Sequence, residues 1–348
     1  MARKRIFSQY EATLARLKSQ KPLYPCKAKT KEEWQAWRKT FRRELVKLLG
    51  PDPEPVPLRP EVLERTDQGD YIREKVVFDS DPYNSVPAWV LTPKDLPQGK
   101  RLPGIVIAHG HGMGKNPSVG LDNEGAPIED YQRCMAIQFC RRGYVTISPD
   151  WRGFGERIDP DEWVRRPSRD GCNVAYMANG YFGFQYLNLH LWDAKRVVDY
   201  LQSRPEVNAG KIGCIGVSFG GTMTTYLSAL DNRIKACVIC CYLSTLSDAL
   251  GDRGKGNFCG AQYMPGLAKI GDIPDVASLI APRPMLAEIG EQDQCFVVDD
   301  AMKAYRRVAA CYKAAGVPER CDVDLHPGGH EFSGAKAFDW FDRWLKGK

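Results

Sequence analysis

From residue 70 onward the chain alternates between short apolar runs and longer stretches in which apolar residues recur every three or four positions. Two runs come first, "YIREKVVFD" (71–79) and "VPAWVLTP" (86–93). Their rough polar–apolar alternation predicts consecutive antiparallel strands. Six more follow: "GIVIAHG", "YVTISPD", "KIGCIGVS", "IKACVICC", "RPMLAEIG" and "CDVDLHP". Between them "YQRCMAIQFCRR", "LNLHLWDAKRVVDYLQS" and "DDAMKAYRRVAACYKAAG" carry a helical period, and "GAKAFDWFDRWLK" predicts a closing helix. Strands alternating with helices predict an α/β fold, a mostly parallel, doubly wound sheet with helices on both faces.

Ahead of that rhythm, Leu14 and Leu17, then Trp34, Trp37, Phe41, Leu45 and Leu48, step by three or four and predict helices. "GPDPEPVPLRP" (50–60), with five prolines, stops them and reads as a linker. The expected organisation is a helical extension and proline-rich linker over 1–60, then one α/β domain over 61–348. Two stretches break the alternation. Residues 152–186 are rich in Arg, Gly and aromatics, and 243–275 in Gly and Asp. Insertions of this length serve as lids or pocket walls, or run passively over the surface.

Composition narrows the class. With 43% hydrophobic and 26% charged residues the chain is not a disordered one. No apolar run reaches the roughly 18 residues that span a bilayer, so no membrane partner is expected, and the basic start lacks the continuous apolar core of a signal peptide. The net charge of +6 is concentrated in "MARKR" and "RKTFRREL". Without a recognition motif it reads as a solvated helix face, and no nucleic-acid partner is expected. Twelve cysteines in such a chain suggest reduced thiols in a cytoplasm rather than a disulfide framework. Cys237 and Cys240 form a C-x-x-C, but in a strand residues three apart point to opposite faces. No second Cys or His pair lies at zinc-finger spacing, so they read as buried free thiols.

The candidate chemistry begins at "KIGCIGVSFGG" (211–221). A buried strand runs into Gly216, Ser218 and Gly220, the G-x-S-x-G pattern of a sharp strand-to-helix turn that holds its serine exposed at the sheet edge. The helix that follows directs its N-terminal dipole at the same point. A serine hydroxyl needs a base. Of the five histidines, His330 in "HPGGHEFS" lies on a glycine-rich loop past the last strand, whereas His326 falls at the strand end and reads as structural. Pro327, Gly328 and Gly329 argue against a helical metal pair at His326 and His330. The base needs a carboxylate. Asp293 follows the strand ending at Gly290; Glu291 competes with it, Glu288 falls within the strand, and Asp193 precedes the serine in the chain. The oxyanion donors expected are the N–H of Phe219 and an N–H from "GIVIAHGHGMG", His111 first and Gly112 second, with His109 organising the turn. "HGHGMGK" fails both as an H-x-H-x-D-H metal motif, because Met113 and Gly114 occupy the next places, and as a phosphate loop.

With "HGHG", "SPDWRGFGER", "GVSFGG", "LIAPRPML", "GEQD" and "GGHEF" in that order, the chain from about residue 70 resembles α/β-hydrolases of the dienelactone hydrolase and acetyl xylan esterase-like group. The resemblance supports Ser218, Asp293 and His330 as the triad and implies that Asp150, Arg152, Gly153 and Gly155 shape the loop beside the site. Ser218 stands where a true dienelactone hydrolase has cysteine, which argues against that substrate. The best-matching part leaves out the N-terminal helices and 152–186.

The reading is a serine carboxylesterase acting through an acyl-enzyme on small, acetyl-type esters, the short acyl group being what the resemblance implies. It requires no metal or organic cofactor. Its partner is a small-molecule ester, and a homo-oligomer is left open. Trp151, Phe154, Tyr181, Phe182 and Phe184 can line an apolar pocket or stack on a sugar, or belong to the core. The alternatives are a prolyl-oligopeptidase-like serine peptidase, whose usual propeller this chain has no room for, and a non-catalytic binding protein on a hydrolase fold.

Overall fold

In a computed structural model, residues 5–94, 99–160, 171–251 and 258–347 are described. Parts of both sequence-defined insertions, 161–170 and 252–257, lie outside them. Nine strands share one sheet. They are β1 (Glu61–Asp67), β2 (Tyr71–Asp81), β3 (Asn84–Pro93), β4 (Leu102–Ala108), β5 (Val145–Pro149), β6 (Val207–Val217), β7 (Ile234–Cys240), β8 (Met285–Gly290) and β9 (Cys321–His326), in the order β1-β2-β3-β5-β4-β6-β7-β8-β9. β1, β2 and β3 form an antiparallel meander, and β3 runs antiparallel to β5. The remaining pairs are parallel. The eight apolar runs are thus all strands. β1 was not expected: it is an edge strand exposed along nearly its whole length, so no apolar face imposes a period of two on "EVLERTD".

Successive residues of a strand face opposite ways, and β4 feeds two cores. Val106 and Ala108 pack with the helices Tyr186–Ser203, Phe219–Leu230 and Val298–Ala314. Ile105 and Ile107 pack with Phe139, Phe332, Trp340 and Phe341 beneath the closing helix. That helix, Ala337–Phe341, continues as a π turn over Asp342–Lys346.

The N-terminal extension packs against helices of the α/β domain, among them Val298–Ala314. Helix Lys31–Leu49 is capped by the Thr30 hydroxyl, which accepts from Glu33 N at 3.3 Å, and ends at Gly50 with φ 78°. Its Trp34, Phe41, Leu45 and Leu49 are buried in the first of the two cores. Arg38 and Arg42 donate to the carbonyls of Leu279 and Leu230. The all-thiol expectation needs correction here: Cys26 and Cys311 form a disulfide, and the other ten cysteines are thiols. The bonded pair is separated by 285 positions, so no spacing in the sequence announces it. No described helix is long and apolar enough to cross a membrane.

Candidate active site

Ser218 joins β6 directly to helix Phe219–Leu230 and has φ 60° and ψ −119°. For a residue with a Cβ this backbone costs on the order of 1–3 kcal/mol and persists only where the surroundings impose it. Two glycines impose it. A Cβ on Gly216 would stand 2.5 Å from the Ala108 carbonyl oxygen and from the Gly220 backbone, and a Cβ on Gly220 would run into the same Ala108 carbonyl. Ser218 N donates to Cys240 O at 3.0 Å, which fixes the turn to the end of β7. Phe219 opens the helix, so its N–H has no carbonyl one turn behind to receive it.

Asp293 and His330 come from the ends of β8 and β9, on the same edge. The two exit loops continue the pairing: Glu291 N donates to His326 O at 2.9 Å and Gln292 N to Gly328 O at 3.1 Å. Gly290 lies so close to the Gly329 carbonyl that a Cβ would collide with it. Asp293 Oδ1 then accepts from the N–H groups of Cys295 (2.7 Å) and Phe296 (3.0 Å), while Oδ2 lies 2.9 Å from His330 Nδ1. Burial pushes the Asp293 carboxyl up, but His330 and these two amides outweigh it and hold it below the usual carboxylate range. With Nδ1 engaged, Nε2 is the nitrogen left for a proton from serine. Of the competing acids, Glu291 is exposed. Glu288 is buried in β8, accepts from Ser333 N and Gly334 N, and is pushed by burial up to about 7.

Three residues missed in the sequence hold this pair. The His330 ring stacks against Tyr131 on one contact and Phe296 on another, each with centroids 5.8 Å apart. The Tyr131 hydroxyl donates to His111 O at 2.9 Å, so one side chain links the His330 ring to the loop after β4. Cys241 has φ 46°, and its thiol reaches the carbonyls of Gly329 (3.8 Å) and Glu331 (3.4 Å). Its sulfur, an Asp293 carboxylate oxygen and a His330 ring nitrogen lie within 4.8 Å of one another. Nothing local in "DYQRC" or "ICCY" signals these roles, because each depends on a partner far along the chain.

In the loop after β4, His109 is fully buried. Its Nε2 accepts from Trp151 N at 3.0 Å, which leaves Nδ1 to donate to Gly110 O at 2.7 Å. Burial pulls this ring down to about 4, so it stays neutral and organises the turn, as expected. Gly110 N is taken by Gln132 Oε1. His111 and Gly112 are exposed, and Gly112 has φ 133° with open space around it. Phe154 stacks on Phe219 (5.2 Å) and meets the His111 ring edge-on (4.9 Å), so it underlies the loop. Trp151 is fully buried against His109 and belongs to the core rather than to a pocket. Phe184 is half-buried against the core. Tyr181 and Phe182, 92% and 79% exposed at the end of helix Gly171–Tyr181, stand in solvent and line no pocket among the described residues.

The "DWRGFGER" loop is a frame. Asp150 accepts from Lys115 N (2.7 Å), Lys115 Nζ (2.6 Å) and Glu156 N (3.0 Å), and Gly155 (φ 56°) passes against its carboxylate. Arg152 donates to Asp193 and Asp81, and Arg157 also reaches Asp193. Gly153 carries φ 78°. The described parts of the two insertions meet at this edge of the site. Gly260 N donates to Asn173 Oδ1 at 2.7 Å, Tyr176 meets Tyr263 edge-on, and buried Cys172 lies 3.7 Å from His111 Nε2. One donor each from His111, Cys172 and Cys259 lies within 4.8 Å of the others. The hydrogen bond with Cys172 pulls the Cys259 thiol down to about 5, helped by His111 and opposed by burial.

The chain is 28% identical over 313 residues to YtaP of Bacillus subtilis (strain 168), named as a proposed hydrolase; the match covers 87% of this chain and 98% of that protein. Its fold is shared with a crystal structure of a proposed acetyl xylan esterase from Bacteroides fragilis NCTC 9343 (TM-score 0.77, 22% identity, 92% of this chain and 82% of that one). It is shared also with the acetyl xylan esterase from Paenibacillus sp. R4 (TM-score 0.59, 20% identity, 95% and 99%). The model of the Abhydrolase family matches residues 2–330, which takes in the N-terminal helices as well as Ser218, Asp293 and His330; this chain belongs to that α/β-hydrolase family.

Proposed function

We propose that the protein is a serine carboxylesterase of acetyl-type esters. The observation that carries this is Ser218, held at positive φ on a helix N-terminus, on the same sheet edge as an Asp293–His330 pair at 2.9 Å. Ser218 attacks the ester carbonyl as His330 Nε2 takes its proton, and Asp293 stabilises the resulting imidazolium. The N–H groups of Phe219 and His111, or Gly112 in place of His111, receive the oxyanion. His330 gives its proton to the leaving alcohol, an acyl-serine remains, and His330 then activates the water that releases the acid. The acetyl preference leans on the fold shared with enzymes named as acetyl xylan esterases. A cytoplasmic setting is part of the proposal and leans on the ten cysteines outside the disulfide. Alkylation and peptide mapping of protein taken from cells tests it, because an intact Cys26–Cys311 bond there would point to an oxidising compartment.

Hydrolysis of p-nitrophenyl esters, acetate through octanoate, tests the reading. The expected result is a preference for acetate and a loss on the order of 10³-fold or more in Ser218→Ala. A preference for long chains would discard the acetyl assignment, and equal rates for the two proteins would discard the nucleophile.

A further inference from the structure

We propose that His111, Cys172 and Cys259 form a site for a soft divalent transition metal of the zinc class, which clasps the two insertions to the loop after β4. The three donors come from three separate segments: that loop, the first turn of helix Gly171–Tyr181, and the chain following 252–257. They nonetheless converge within 4.8 Å of one another. Imidazole and thiolate are the ligands zinc favours, at about 2.0–2.1 Å and 2.3 Å. At a tetrahedral angle those bond lengths separate nitrogen from sulfur by about 3.6 Å. His111 Nε2 and Cys172 Sγ stand 3.7 Å apart, already at ligand spacing.

The ligands are also positioned by contacts outside the cluster. Phe154 holds the His111 ring edge-on, Tyr131 holds the His111 carbonyl, and the Gly260–Asn173 hydrogen bond fixes the residues next to Cys259 and Cys172. Cys172 and Cys259 are buried while His111 is exposed, so the three donors lie where a buried edge meets the surface. Binding forms two metal–sulfur bonds and one metal–nitrogen bond, and any proton still on the two thiols leaves to water. The other three-donor group, Cys241 with Asp293 and His330, belongs to the catalytic pair: its thiol faces two carbonyls and its carboxylate already serves two amides and the imidazole.

The test is Co(II) titration of the reduced full-length chain, read by absorption and independent of ester hydrolysis. The expected result is one Co(II) per chain, with tetrahedral visible bands and a thiolate charge-transfer band, displaced by one equivalent of Zn(II). Cys172→Ser and Cys259→Ser should each lose about half of the charge-transfer intensity. Loss of even an outer-shell partner costs about 10–100-fold in affinity, so each should bind at least on the order of 100-fold more weakly. His330→Ala should leave the spectrum unchanged. A second measurement needs no variant: Zn(II) should slow iodoacetamide alkylation of Cys172 and Cys259 on the order of 10-fold or more, peptide by peptide, without protecting Cys134. Absence of a charge-transfer band in the wild type, its survival at full intensity in both cysteine variants, its loss in His330→Ala, or unprotected Cys172 and Cys259 would each overturn the proposal. So would a Cys172–Cys259 disulfide in protein isolated without reductant, which would make the pair a redox clasp instead.

Discussion

Asp193 and Asp293 are both buried carboxylates held below the usual carboxylate range, yet they serve different ends. Asp193 is completely enclosed and is held by two permanent cations, Arg152 and Arg157. Arg152 also binds Asp81, so the cluster ties helix Tyr186–Ser203 to β2 and to the loop after β5. Asp293 has two backbone amides and one partner that can gain and lose a proton, on a half-buried ring stacked between Tyr131 and Phe296. A low carboxylate pKa therefore does not identify the catalytic acid. In the proposed mechanism the identity of its partner does: a guanidinium cannot take up a proton from serine, whereas the imidazole can.

Substituting the two aspartates separates these roles. Asp293→Asn is expected to lower kcat on the order of 10³-fold or more, because the amide no longer selects the tautomer with Nε2 free, while the thermal midpoint moves little. Asp193→Asn, which leaves two buried guanidinium groups short of a charge, should cost about 3–5 kcal/mol in denaturant unfolding. The rate per titrated active site should stay within a few-fold. A large rate loss at unchanged stability in Asp193→Asn would reverse the assignments.

Smaller effects sharpen the contrast. Tyr131→Phe keeps the stack on His330 but removes the hydrogen bond to the His111 carbonyl. At about 1 kcal/mol for such a bond, kcat/KM should fall about fivefold with little change in melting. The smallest effect is a pH slope. Burial raises Glu288 from 4.5 to about 7, so the stability of its protonated form is complete below pH 4.5 and is lost as pH rises through about 7. Asp193 and Asp293 act in the opposite sense, contributing stability above the ordinary carboxylate range that is lost as pH falls through their lowered values. Glu288→Gln should therefore flatten the decline in melting temperature between pH 5 and 8 by a few degrees, a window in which neither aspartate titrates. An unchanged slope would remove Glu288 as its source.

What the sequence makes legible follows from how local each signal is. The eight apolar strands and the Gly216-x-Ser218-x-Gly220 turn are carried by patterns within a few residues, and the structure contains both; it also sets Asp293 2.9 Å from His330. β1 is illegible because an exposed edge needs no apolar face. Tyr131, Phe296 and Cys241 gain their roles only when strand ends from distant segments meet. The same holds for the convergence of His111, Cys172 and Cys259, which scattered spacing hides from any motif. Trp151 and the Tyr181–Phe182 pair show the converse limit: aromatic residues in and just before one insertion read alike, yet one is core and two stand in water.

The most direct test of the catalytic assignment is to locate the adduct left by a fluorophosphonate probe, by mass spectrometry of the intact chain and its peptides. The account predicts one adduct per chain, on the peptide carrying Ser218, with labelling slowed on the order of 10³-fold in His330→Ala. An adduct on another residue, or no adduct on a chain that hydrolyses p-nitrophenyl acetate, would contradict it.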